Sequence, residues 1–191
     1  MSLLPFAEWL ASTPGSIALH ESLFMYPVVE SVHVLTLTIF VGMSVMLDLR
    51  LLGIILRRVP VTDITKRLMP WMIGGFVIMF VTGILLFYAI PIRSYQSLWF
   101  RAKLVLLVLA GLNAWTFHIG VYQSVRDWDL AERAPSRARV AGLASLVLWG
   151  FIIVFGRMIA YNWFDCDKKQ SAFIVWAAGC VAPDAQVGTL R

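Results

Sequence analysis

Four long runs of apolar residues dominate the chain, and polar positions punctuate them in an ordered way. The first is VVESVHVLTLTIFVGMSVMLDLRLLGIIL, Val28 to Leu56. As a helix rising 1.5 Å per residue it would reach roughly 43 Å, longer than the ~30 Å apolar slab of a bilayer. Pro27 stands at its start, where a missing N–H costs nothing. The pattern predicts further spans over 70–90, 98–121 and 140–161. Gly74, Gly75, Thr82 and Gly83 give the second span small residues for close helix approach. Before the first span, LLPFAEWLAS predicts a short interfacial helix carrying Phe6 and Trp9. Ser16, after Pro14-Gly15, is a candidate cap for another helical turn. The fold expected is an all-α integral membrane protein: one domain, a four-transmembrane-helix bundle with a short N-terminal interfacial helix, and a tail over 162–191.

Composition narrows this further. The 191 residues are 60% hydrophobic, with a mean hydropathy of +0.79. That leaves no room for a separate soluble domain. The net charge of +5 does not point to nucleic acid, because the basic residues flank the apolar runs. Residues 57–69 hold Arg57, Arg58, Lys66 and Arg67, and residues 122–139 hold Arg126, Arg133, Arg137 and Arg139. Residues 1–27 hold none, and the 91–97 loop only Arg93. The positive-inside rule then predicts cytoplasmic basic loops and both termini on the outer side of the membrane. No cleavable signal peptide is expected, since Pro5, Glu8 and Pro14 interrupt the N-terminal segment. Cys166 and Cys180 both fall in the tail, on the side predicted to be oxidising, and are expected to form a disulfide. SAFIVWAAGCVA, around the second of them, is too short to span and is expected to fold back on the bundle.

Polar residues inside the spans carry the functional expectation, because an ionisable group in lipid is expensive. His33, Phe40, Ser44 and Asp48 share one stripe of the first helix. Sorted by depth, Glu30, His33, Arg101, Lys103 and Arg157 form a layer near the end that carries the termini. Asp48, Arg50, Asn113 and His118 form a layer near the basic loops. Arg50, Arg101 and Arg157 also have a plain reading as snorkelling side chains, and Asn113 one as a helix bridge. A neutral imidazole in an apolar four-helix core is a natural haem-iron ligand. A proton relay would also use His, Asp and Glu. The cofactor-binding candidates are His33 as axial ligand to haem b, Lys103 and Arg157 as propionate partners, with Lys103 also open as a substrate or second-ligand group, and His118. His33 and His118 lie about 20 Å apart in depth by the helical rise, so they do not fit one haem together. No HExxH, CxxC, GxSxG, P-loop or dinucleotide fingerprint is present.

The segments ESVHVLTLTIFVGMSVMLDLRLLG, LMPWMIGGFVIMFVTGILLFY and SLWFRAKLVLLVLAGLNAWTFH resemble a bacterial family of four-span membrane proteins. That family is similar, distantly, to HemJ-type protoporphyrinogen oxidases and to the membrane domain of CopD copper-resistance proteins. The resemblance covers roughly residues 1–120, and the fourth span by hydropathy alone. His33 matches the histidine of an early span, and Trp99 with Lys103 matches a Trp–x–x–x–Lys element. The resemblance implies haem b and membrane redox chemistry, with a quinone or a larger membrane complex as partner. The alternatives are a non-catalytic accessory subunit, a HemJ-like porphyrinogen oxidase and CopD-like copper transport. Copper would need a ladder of soft ligands. Met25, Met43, Met46, Met72, Met79 and Met158 are scattered in helical phase and read as apolar filler.

Overall fold

Prolines and glycines set where the helices begin and end. The computed structural model describes residues 3–161, 166 and 171–180. Two short helices open the chain, α1 (Leu4–Ala11) and α2 (Pro14–Glu21), each with proline in its first turn. The long helix α3 follows over Met25–Leu51. It stops five residues before the Leu56 expected from hydropathy. Gly53 takes a left-handed φ of 70°, and Leu56 itself a φ of 49°, so the chain turns away instead of continuing.

The second long helix, α4, runs over Val61–Ala89. The sequence places its start at Pro70, yet Pro70 lies inside it. The helix begins directly after Pro60, and the Asp129 carboxylate accepts from the Thr62 backbone N–H at 2.9 Å. That capping bond, together with burial of Val61, Ile64 and Thr65, fixes the extra turns. Pro70 then removes one ladder bond from a helix already held at both ends, which membrane helices tolerate. A short helix α5 (Pro91–Gln96) leads into α6 (Leu98–Gly120), whose Ser97 cap accepts from the Phe100 N–H at 3.3 Å. A 3₁₀ segment, Tyr122–Asp127, precedes α7 (Ser136–Met158). The last described helix is α8 (Ala172–Ala178).

The described residues are all helical or irregular, with no strand among them. The four long helices are each long and apolar enough to cross a membrane. They pack in the order α4–α3–α7–α6, with the α3–α7 contact as the central seam. α1 rests on α5, and α2 on α4. One apolar core lies mid-bundle, where Met79, Ala110, Trp149 and Ile152 meet and Phe40 sits edge-on to Trp149 at 4.9 Å. The other lies at the basic-loop end, built from Leu51, Val61, Val125, Trp128, Ala134 and Ala138.

Small residues let the helices approach. Lipid tails are as apolar as leucine, so helix association rests on close packing and hydrogen bonds. A Cβ on Gly142 of α7 would stand 3.2 Å from the Asp48 carbonyl of α3. One on Gly83 of α4 would stand 3.3 Å from Cε1 of His33. These two glycines mark the heights at which the polar groups of α3 meet their neighbours.

Candidate functional site

The buried positions of α3 are Thr36, Ser44, Asp48, Arg50 and Leu51. Four of those five are polar, so this helix turns its hydrophilic stripe inward and its apolar surface outward. That is the arrangement lipid demands. Two polar layers result.

The layer toward the termini centres on His33. Its Nδ1 lies 3.0 Å from Thr82 Oγ1 of α4. Thr82 has one hydroxyl proton. With that proton spent on a backbone carbonyl, of Ile78 at 2.7 Å or of Met79 at 3.1 Å, the oxygen is free to accept from His33 in its Nδ1–H tautomer. The Nε2 lone pair is left open, which is the arrangement metal-binding histidines share. Gly83 admits the ring edge-on.

Lys103 of α6 reaches the same neighbourhood. It lies within electrostatic range of the imidazole. Its Nζ is 3.5 Å from where a Cβ on Gly156 of α7 would stand. Among the described residues it has neither a hydrogen-bond nor an ion-pair partner. His33 with Thr82 thus joins α3 to α4, and Lys103 with Gly156 joins α6 to α7, the two pairs lying within electrostatic range of each other.

The other candidates go elsewhere. Arg157 is exposed, and its guanidinium carbon sits 5.0 Å over the Tyr161 ring. His118 is exposed at the opposite end, stacked on Tyr122 at 5.6 Å, and does not join His33. Glu30 is exposed on another face of α3, along an open groove of about 540 Å³ shared with Pro27, Ser31, Val34, Leu35 and Thr38. Snorkelling fails for two of the arginines. Arg50 is fully buried and donates to the carbonyls of Val59 (2.8 Å), Asp129 (3.4 Å) and Ala131 (3.2 Å). Arg101 donates to the carbonyls of Tyr95 (2.8 Å), Ala177 and Ala178 (3.1 Å). Those last two bonds fasten α8 to the bundle. Cys166 and Cys180 are bonded to each other, with their Cα atoms 5.5 Å apart.

The layer toward the basic loops holds Asp48, whose carboxylate faces Ser44 at 3.5 Å and Ser145 of α7. Asn113 donates to the Ala141 carbonyl at 3.0 Å and so bridges α6 to α7. Among the described residues no group of three or more His, Cys, Asp or Glu side chains is clustered for a metal ion.

Sequence reasoning did not single out Thr82, Gly83, Ser145 or Gly156 for the site. Thr82 and Gly83 stood out only as small residues, and no local pattern announces Ser145 or Gly156, whose partners lie on other helices.

A family model described as "Family of unknown function (DUF6644)" matches residues 7–162. No curated protein matches the chain, and no solved structure does.

Proposed function

The chain belongs to the DUF6644 family, and we propose that it is a haem b-binding membrane redox protein with His33 as an axial ligand of the iron. The observation that carries this reading is the hydrogen bond from His33 Nδ1 to Thr82, because it orients the ring and leaves Nε2 as the free donor atom. Lys103 is the partner for a propionate, since a cation without another partner in an apolar site is satisfied by a charge-assisted bond to a carboxylate. Arg157, at the same end of the bundle, meets the second propionate from the headgroup level. Bound haem would supply one-electron chemistry, and a membrane quinone or a larger membrane complex is the expected partner. The basic loops support an orientation with both termini periplasmic, and the resemblance to a bacterial family supports the bacterial inner membrane as the location.

A pyridine haemochrome spectrum of protein purified from haem-replete cells tests this. Haem b is expected, and His33→Ala should abolish or shift the Soret band. Met43→Leu and Met46→Leu should leave both the band and cellular copper tolerance unchanged. A colourless preparation would overturn the proposal. Stable co-purification with other membrane subunits would then mark the chain as a non-catalytic accessory subunit.

A further inference from the structure

Asp48 has no part in the His33 site, which lies about 22 Å away along α3 by the helical rise. It is nonetheless 6% exposed, and Ser44, itself 7% exposed, flanks it. Ser44 comes from one turn earlier on the same helix, and Ser145 from α7 across the seam. Asp48 is also three residues from the end of α3 at Leu51, only about 5 Å of rise from the basic-loop end.

The charged groups of the helices packed on α3 do not reach this carboxyl. On α4, Asp63, Lys66 and Arg67 are exposed, and on α7 so are Arg137 and Arg139. α2 carries His20 and Glu21, both exposed and at the other end. On α3 itself, Arg50 is committed to three loop carbonyls. Among the described residues Asp48 has no ion pair, and its partners are hydroxyls.

A hydroxyl both donates and accepts. Ser44 and Ser145 can donate to a carboxylate, and either can accept from a carboxylic acid, with no movement of the helices. The site thus accommodates both states of the carboxyl. Two hydroxyls and one carboxylate fall short of the six to eight oxygens a hard cation such as calcium gathers. We infer that Asp48, Ser44 and Ser145 form a proton-exchange site in the basic-loop half of the bundle. The Asp48 carboxylate takes a proton from hydronium at that end, the hydronium O–H bond breaking to leave water as the carboxyl O–H bond forms, and returns it to water by the reverse step. No oxidant, reductant or other co-reactant enters the step. The inference does not depend on haem.

Dicyclohexylcarbodiimide, an apolar reagent that attacks protonated carboxyls within lipid, tests the site on the full chain in liposomes. One adduct is expected on the peptide containing Asp48. It should be absent from Asp48→Asn, and its rate should fall as pH is raised. Ser145→Ala should keep the adduct but change its rate at least twofold. If Asp48→Asn does not fold, locating the adduct in the unaltered chain decides the matter alone. Adducts elsewhere but none on Asp48 would overturn the inference. Protection by sodium ions at constant pH would also overturn it, in favour of a cation site.

Discussion

Arg50 illustrates how far a single side chain can depart from its average behaviour. Its guanidinium offers a planar set of donors, and three backbone carbonyls from two loops converge on it. Without it, those carbonyls would be buried and unpaired in an apolar end. Arg50→Leu should therefore destabilise the protein by about 3–5 kcal/mol. Arg50→Lys, which keeps the charge but not the fork, should fall between that variant and the parent. Thermal unfolding in detergent measures both, and a loss below about 1 kcal/mol for the leucine variant would contradict the role given to these bonds. In the sequence Arg50 is one more basic residue near a helix end. Its acceptors lie as much as 81 residues away, so nothing local separates a snorkelling arginine from one that ties loops together. His33 was more legible, because an isolated histidine in an apolar run stands out. The hydroxyl that meets its ring is 49 residues distant and was not legible.

At the level of elements, hydropathy located the four spans and both ends of α6 to within a residue, but not the end of α3 or the start of α4. It marks where lipid begins, whereas a helix ends where its backbone groups find other partners. α4 shows the difference, since its first nine residues extend beyond the apolar run that begins at Pro70. They carry Lys66 and Arg67 on the exposed side and Ile64 and Thr65 on the buried side. Both native cysteines are in the disulfide, so a single introduced cysteine is the only free thiol. In opened membranes, Lys66→Cys should react fully with a water-soluble maleimide, and Gly74→Cys should be protected. Equal labelling of the two would place the bilayer boundary elsewhere. The even number of spans also follows from apolar runs alone. The packing order α4–α3–α7–α6 does not, because adjacent long helices in the chain are not always adjacent in space.

For the molecule as a whole, the N-terminal segment is tied to parts of the chain made much later. The Thr13 hydroxyl meets the Tyr88 hydroxyl at 2.7 Å, Ser16 donates to the Tyr88 carbonyl at 2.7 Å, and Leu3 N–H donates to Tyr95 at 3.3 Å. Thr13 and Tyr88 are 75 residues apart. At ~5–20 residues per second, ribosomal synthesis separates them by roughly 4–15 s. During that interval α1 lacks α5 and α2 has only α3 to rest on, without its partners on α4. The first helices made are thus among the last to settle, and the cap over the terminal end of the bundle reports that α4 and α5 have been delivered. A nascent chain arrested before Tyr88 should expose residues 3–22 to protease, and one extended past Gln96 and clear of the insertion machinery should protect them. Equal cleavage at both lengths would show that the cap forms by another route.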